Sequence, residues 1–146
     1  IALACDLLVA ASGAKLGVPE VKRSLVAAGG ALLRLPRRRP LAGAMGLALT
    51  GDPITAERGY ELGLVNRVSE PGGAVDAALE LAAAIAANGP LALAATKRIL
   101  SEQFSWEEAD FWARQGEISG PVLVSEDARE GATAFAEKRP PVWKGR

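Results

Sequence analysis

The stretch KLGVPEVKRSLVAAGG, residues Lys15 to Gly30, places a single carboxylate, Glu20, inside a short apolar segment. Val18 and Leu25 flank this carboxylate, which favours a strand or loop that packs against the rest of the fold. Pro19 restricts its own φ, so the backbone reaches Glu20 in a stiff conformation. A stiff backbone is what a precisely positioned side chain requires.

Two interpretations of Glu20 follow from these residues. In the structural one, Glu20 pairs with Lys22 or Arg23 or lies exposed beside the preceding proline, because isolated carboxylates are usually structural. In the functional one, Val18, the proline and Leu25 form an apolar pocket. Desolvation disfavours the charged form of a carboxyl group, so an acid in such a pocket can hold a proton and give it to carbon.

The size and composition of the chain predict one folded domain. Its 146 residues are 49% hydrophobic, which is enough to bury a core. The 17 Lys and Arg residues balance the 17 Asp and Glu residues. No overall field therefore attracts nucleic acid or a membrane surface, and any partner must be recognised locally.

The chain contains no histidine and a single cysteine, Cys5. Ser-His and Cys-His nucleophile systems and imidazole metal ligands are thus excluded, and acid-base chemistry falls to carboxylates. We expect no metal site. Cys5 allows no intrachain disulfide, which fits a reducing cytoplasm, and we expect it to be a small buried residue.

No charged segment precedes an apolar stretch at the N-terminus, so we expect no signal peptide there. No apolar run is long enough to span a bilayer, so we expect a soluble protein without membrane association. The chain begins in mid-pattern, with no start methionine and no capping residue ahead of its first apolar group. We expect it to be the rear part of a longer protein.

The front third of the chain predicts short strands linked to helices, which is an α/β pattern. We expect a helix end up to about Cys5, a buried strand at residues 7–10, and a second strand that leads to Glu20. A helix then begins near Leu32 and is limited by Pro36. The basic run at residues 37–39 is predicted to be a solvated helix end, with phosphate binding as the alternative.

The rear two-thirds predicts mainly helices, rich in alanine. Apolar periodicity and caps place them at residues 41–50, after Thr55, at 75–86, at 91–100, from 105 with Trp106 and Trp112 on one face, and from the N-cap Ser125. The two tryptophans are expected to be core or subunit contacts rather than a surface for stacking bases, because they recur at helical spacing.

Three separate stretches carry a family pattern with its spacing. They are ACDLLVAASGAKLGVPEVKRSLVAAGG at residues 4–30, ALTGDPITAERGYELGLVNRV at 48–68 and SEDAREGATAFAEKRPP at 125–141. Together they closely resemble the C-terminal half of the crotonase superfamily, the enoyl-CoA hydratases and isomerases. The resemblance covers essentially the whole chain.

This resemblance implies an α/β fold, a crotonase-like spiral of repeated ββα turns. Residues 1–50 would form the last ββα turn of the core. Residues 51–146 would form a helical C-terminal region that assembles trimers, which are often doubled to hexamers.

The resemblance also implies a catalytic role for Glu20. In similar hydratases the matching glutamate exchanges a proton with the α-carbon of the thioester, while a second glutamate orients the water. That second glutamate would fall immediately before Ile1, and the two N–H groups of the oxyanion hole would come from further upstream. The family uses no metal or redox cofactor, and coenzyme A enters as part of the substrate.

Three further site residues follow from the resemblance. Ala27 and Ala28 stand where many hydratases have Pro-Gly, and the N–H of Ala28 would contact water or substrate. Lys138 matches a lysine that reaches the 3'-phosphate of coenzyme A in a neighbouring subunit, and Phe135 precedes it by one helical turn. A cation that favours the helix macrodipole explains Lys138 equally well.

The functional hypothesis is an enoyl-CoA hydratase or isomerase of fatty acid metabolism, a lyase that acts on 2-enoyl-CoA thioesters in the cytoplasm. Double-bond isomerisation or thioester hydrolysis would use the same enolate stabilisation. The alternative from another class is a catalytically incomplete assembly module. RNA binding through the basic run at residues 37–39 is a third hypothesis, against which the zero net charge argues.

Overall fold

A computed structural model describes residues 1–146 and divides them into two compact units, Ile1–Leu81 and Ala82–Arg146. The expected division at residue 50 concerns the end of the family's spiral core and stays a prediction.

The first unit combines four short strands with helices. The strands are Val9–Ala11 (β1), Lys15–Leu16 (β2), Ile54–Thr55 (β3) and Arg67–Ser69 (β4), and the helices are Ala31–Arg38 (α1), Leu41–Thr50 (α2), Ala56–Glu61 (α3) and the first part of Ala74–Ala86 (α4). β1 pairs with β4 in parallel, with Val9 opposite Arg67. β2 pairs with β3 antiparallel, with Lys15 opposite Thr55. Helices between parallel strands are the expected α/β arrangement.

Local caps explain where several of these elements begin and end. The Thr55 hydroxyl accepts a hydrogen bond from the Arg58 N–H at 3.2 Å, which confirms the predicted start of α3. Gly51 ends α2 with φ at +66°, a left-handed conformation that glycine adopts at little cost. Asn66 Oδ1 accepts the Leu8 N–H at 2.8 Å and fixes the chain just before β1.

The core of the first unit lies between α1, α2 and the segment that carries Glu20. It consists of small and medium apolar side chains: Val18, Ala27, Leu35, Ala44, Leu47 and Leu64, with Leu3, Ala31 and Ile54 packed against them. Leu35 is the most deeply buried of the six. Burial of Val18 and Ala27 on both sides of Glu20 anchors that segment to the core.

The second unit is helical. It contains Pro90–Glu102 (α5), Phe111–Leu123 (α6) and Glu126–Glu137 (α7), after the end of α4. Ser125 caps α7, because its hydroxyl accepts the Ala128 N–H at 3.0 Å, as predicted. α4 ends at Ala86 and α5 starts at Pro90, which confirms the predicted break between them.

The C-terminal tail, residues 140–146, lies along α7. Trp143 donates a hydrogen bond from its ring nitrogen to the Ala87 carbonyl at 2.8 Å. Its ring packs on Gly131 of α7, where an added Cβ would come within 3.4 Å of the ring carbons. The tail therefore joins α7 to the turn that follows α4.

Two element boundaries differ from the sequence expectation. α1 does not stop at Pro36 but continues to Arg38. The proline has no N–H to donate to the Leu32 carbonyl one turn earlier. Because Leu32 is 46% exposed, water can reach this part of the helix and bind that carbonyl instead. β1 begins at Val9 instead of residue 7, and its residues are half-buried rather than buried.

The predicted helix from residue 105 and the predicted burial of Cys5 are wrong. Two 3₁₀ turns, Gln103–Ser105 and Glu108–Asp110, precede α6, which begins at Phe111. Trp106 and Trp112 consequently lie on different elements, and each contacts the Phe111 ring, at 6.0 and 5.2 Å between centroids. Cys5 is exposed.

No single helix of the chain is both long and apolar enough to cross a membrane. Residues Ala74–Ala86 and Pro90–Ser105 reach the required length and composition only as a bent pair.

Candidate active site

Glu20 is the first residue of a tight 3₁₀ turn, Glu20–Arg23, between β2 and α1. The Lys22 N–H donates to the Pro19 carbonyl at 3.1 Å, and the Leu25 N–H donates to the Glu20 carbonyl at 3.1 Å. Ser24 closes the turn with φ at +58°, a left-handed conformation that is uncommon for a residue with a Cβ. The main chain of Glu20 is thus held from both sides.

The Glu20 carboxylate has one oxygen that solvent does not reach. Oε2 is buried and has no hydrogen-bond partner, although the residue as a whole is half-buried. A buried carboxylate oxygen without a partner costs free energy, and native proteins nearly always avoid it. A catalytic role is one explanation of such an atom, and a bound water is another.

The salt-bridge interpretation of Glu20 is wrong. Lys22 Nζ pairs with Asp52 Oδ1 at 2.5 Å instead, across the face of the turn. The apolar pocket expected from Val18, Pro19 and Leu25 is not formed by all three residues, because Val18 is buried at 8% exposure whereas Pro19 and Leu25 are exposed.

Ala28 lies in the same unit as Glu20, at the start of the approach to α1. Its side chain is exposed, and its N–H donates to the Val26 carbonyl at 2.8 Å in a three-residue turn. The preceding residue, Ala27, is part of the core. The contact of Ala28 with water or substrate stays a prediction.

Phe135 and Lys138 lie together at the C-terminal end of α7 in the second unit. Phe135 is 87% exposed. Lys138 ends the helix with φ at +55°, and its N–H donates to the Phe135 carbonyl at 3.3 Å. An exposed aromatic ring beside an exposed cation is compatible both with a phosphate contact and with the helix-dipole explanation. Both roles therefore stay predictions.

A polar groove of about 490 Å³ lies between α7 and the C-terminal tail. Its acidic side chains already bind cationic side chains and backbone N–H groups. Glu130 binds Arg139 at 2.6 Å and the Val142 N–H at 2.9 Å, and these two contacts lower its pKa from 4.5 to about 2. Hydrogen bonding by Lys144, with the charge of Arg146, lowers the pKa of Glu126. The carboxylates that line the groove are therefore already bound by cations and N–H groups of the chain itself.

Glu57 in α3 fastens the turn that precedes β2. Its Oε1 accepts the Ser12 hydroxyl at 2.8 Å and the Gly13 N–H at 3.1 Å. Its own backbone N–H and these two donors lower the pKa of Glu57 from 4.5 to about 2. The contact fixes the start of the strand that leads to Glu20.

Asp52, Glu57 and the tail contacts of α7 were not found from the sequence. Asp52 and Glu57 sit in stretches that had only turn and cap signals. Acidic residues in the first turns of a helix favour its dipole, and nothing in the spacing of those in α7 identifies the backbone N–H groups that bind them. The TGDP turn was the one available signal, because its aspartate follows a helix end.

Comparison with known proteins places the chain in a family. The model of the Enoyl-CoA hydratase/isomerase family matches residues 1–146. A carnitinyl-CoA dehydratase of Salmonella arizonae is 42% identical over 99% of this chain and 57% of its own length. The Enoyl-CoA hydratase EchA19 of Mycobacterium tuberculosis is 44% identical over 97% of this chain and 53% of its own length.

Solved structures agree with this placement. An enoyl-CoA hydratase from Mycobacterium tuberculosis H37Rv is 59% identical with a TM-score of 0.93, covering 99% of this chain and 57% of that one. An enoyl-CoA hydratase from Bacillus anthracis is 34% identical with a TM-score of 0.91, covering 99% of this chain and 56% of that one.

The fold and the family match define a crotonase-type α/β protein. The chain belongs to the enoyl-CoA hydratase/isomerase family, and it spans between half and three-fifths of the length of the relatives it matches.

Proposed function

We propose that this chain supplies the proton-transferring part of an enoyl-CoA hydratase, a lyase that acts on 2-enoyl-CoA thioesters. Family membership and the names of the relatives support this reaction class. The solvent-shielded, unpartnered Oε2 of Glu20 is the observation that carries the proposal.

The proposed chemistry is the addition of water across the α,β double bond. The water oxygen bonds to the β-carbon, and the π electrons move toward the thioester carbonyl, whose oxygen gains negative charge. As this enolate collapses, the Glu20 carboxyl gives a proton to the α-carbon and is left as a carboxylate. The proton released by the water is taken up by a second base, so that the enzyme ends with no net gain or loss of protons.

The rest of the site comes from outside the residues of this chain in our proposal. The chain corresponds to the C-terminal half of the family, with residues 1–50 as the last turn of its spiral. The second glutamate and the N–H donors for the enolate oxygen precede Ile1. Each such donor stabilises the transition state by roughly 3 kcal/mol, so the chain without them is expected to be inactive.

We also propose the substrate class, the assembly and the cellular location of the protein. The partner is an acyl-CoA of fatty acid metabolism, and the reaction proceeds in the cytoplasm without metal or redox cofactor. Phe135 and Lys138 contact the coenzyme A moiety, and Ala28 contacts water or substrate. Assembly as a trimer or hexamer is supported by the large apolar side chains that the second unit leaves exposed, among them Phe104, Trp112 and Phe135.

The competing function is an assembly module without catalysis. The exposed apolar side chains of the second unit favour it equally, because they require a partner whether or not the site is complete. It predicts oligomers that form without any turnover of thioester.

A rate comparison on the native gene product tests the proposal. An intact mass establishes its length, and hydration of crotonyl-CoA is then followed for the parent protein, for Glu20→Gln and for Glu117→Gln, an exposed control. Loss of a general acid predicts a rate about 10² to 10⁴ times lower for Glu20→Gln and no change for the control. Equal rates in all three proteins would exclude the role of Glu20.

A further inference from the structure

We infer that Asp52 is a positioning residue for Glu20 and that it acts through Lys22. The inference rests on the proposed function for its catalytic consequence. The structural part is independent of that function, because it concerns how the turn that carries Glu20 is held.

The ion pair joins the catalytic turn to the end of α2. Lys22 belongs to the same four-residue turn as Glu20, and its N–H bonds to the Pro19 carbonyl at 3.1 Å. Its ammonium group contacts Asp52 Oδ1. Lys22 therefore connects the turn, through its main chain and its side chain, to a second segment of the chain.

Asp52 itself is fixed by the helix that precedes it. Its N–H donates to the Thr50 hydroxyl at 3.1 Å. That hydroxyl donates in turn to the Gly46 carbonyl at 2.7 Å, inside α2. The carboxylate that receives Lys22 is thus attached to a helix whose buried residues belong to the core.

The residues that precede and follow Asp52 in the chain pack against residues on both sides of Glu20. After Glu20, an added Cβ on Gly51 would lie 3.0 Å from Lys22 Cγ and 3.1 Å from Val21 Cγ2. Before Glu20, Gly17 lies so close to Pro53 that an added Cβ would be 3.2 Å from its Cα. The segment 51–53 forms one wall against which the glutamate segment rests, and Asp52 supplies the charged contact of that wall.

A contribution to stability does not explain this pair. The side chains of Lys22 and Asp52 are 47% and 70% exposed, and exposed ion pairs contribute little to the free energy of unfolding. The pair instead acts on the orientation of the Glu20 side chain. A small displacement of an acid from its reacting atom lowers the rate by up to about 10²-fold, so a weak contact can control catalysis.

Charge removal and charge exchange test the inference. Asp52→Asn and Lys22→Met are compared with the double variant Lys22→Asp/Asp52→Lys in the native gene product. Because orientation acts on the bound state, we expect about a tenfold lower kcat for each single variant and a KM within about twofold of the parent. The double variant should recover most of the kcat. Glu61→Gln removes an equally exposed pair, Arg58–Glu61, and should change neither constant.

Amide hydrogen exchange gives a readout that needs no turnover. The Ser24 and Leu25 N–H groups close the turn, by donating to the carbonyls of Val21 and Glu20, and they should exchange several-fold faster in Asp52→Asn. The melting temperature should stay within a few degrees of the parent value.

The two readouts separate the inference from the proposed function. An unchanged kcat in an active protein, a failed recovery in the double variant, or a lower kcat together with a large loss of melting temperature would overturn the positioning role. If the protein does not hydrate crotonyl-CoA, the proposed function fails, and equal exchange of Leu25 in the parent and Asp52→Asn then overturns the inference by itself.

Discussion

Asp127 Oδ1 accepts a hydrogen bond from the backbone N–H of Lys144 at 2.7 Å, across the groove between α7 and the C-terminal tail. The second oxygen of the same carboxylate accepts the Gly145 N–H at 2.9 Å. Asp127 is only 5% exposed and lies in the first turn of α7, where the helix dipole favours negative charge. One buried carboxylate thus fastens the end of the chain.

Replacement of Asp127 by Asn should release the tail. The amide keeps one acceptor but turns its NH₂ group toward a backbone N–H, so at least one hydrogen bond to a charged acceptor is lost. We expect the free energy of unfolding to fall by about 2 kcal/mol, measured by urea denaturation. Asp76→Asn, at an exposed position of α4, should change it by less than about 0.5 kcal/mol. An equal change in the free energy of unfolding for the two variants would contradict the role of Asp127.

Two glycines near α2 should respond to alanine in opposite directions. Gly51 has φ at +66° and faces Lys22, so Gly51→Ala is expected to cost roughly 1 to 2 kcal/mol. Gly46 lies within α2, and a Cβ there meets nothing within 4 Å, so Gly46→Ala should stabilise by roughly 0.5 to 1 kcal/mol. Thermal unfolding of both variants measures the difference. Destabilisation by both would contradict the assigned conformations.

The pKa of Glu57 predicts how stability depends on pH. Its pKa is about 2 in the folded chain and 4.5 without these contacts, so the unfolded chain binds the proton first as the pH falls. The stabilisation by this group is complete above pH 4.5 and is lost progressively as the pH falls toward 2.

Denaturation curves of Glu57→Gln between pH 6 and pH 2 measure this effect. The gap in stability between the parent and the variant should narrow as the pH decreases. Glu117→Gln serves as the control, because Glu117 is exposed. A gap for Glu57→Gln that stays constant over this range would show that the Ser12 and Gly13 contacts do not hold the carboxylate ionised.

Much of the helical framework could be predicted from the sequence, because its signals are local. Thr55 and Ser125 are N-caps whose side chains act within three residues, and the break at residues 87–89 contains Asn88 and Gly89 and is followed by Pro90. Glu20 lies in a turn whose residues are exposed or half-buried, although its Oε2 is shielded from solvent, and the role that the family motifs imply for it stays a prediction.

The features that the sequence does not predict are mainly contacts between residues far apart in the chain. Neither the pairing of Lys22 with Asp52 nor that of Asp127 with the tail leaves a trace in local spacing. α1 continues past Pro36, because the loss of one N–H matters little when its acceptor lies on an exposed turn. The sequence keeps a helical apolar period through residues 105–113, but two 3₁₀ turns precede α6 in this region.

The most direct test of the central claim is proton exchange at the α-carbon of a saturated thioester. Butanoyl-CoA is incubated in D₂O with the native gene product, and deuterium at the α-carbon is followed by mass spectrometry. This reaction requires Glu20 to remove and return a proton but needs no attacking water. We predict steady incorporation with the parent protein and with Glu117→Gln, and none above the uncatalysed background with Glu20→Gln. Incorporation by Glu20→Gln at the parent rate would contradict the assignment of Glu20 as the group that carries the proton.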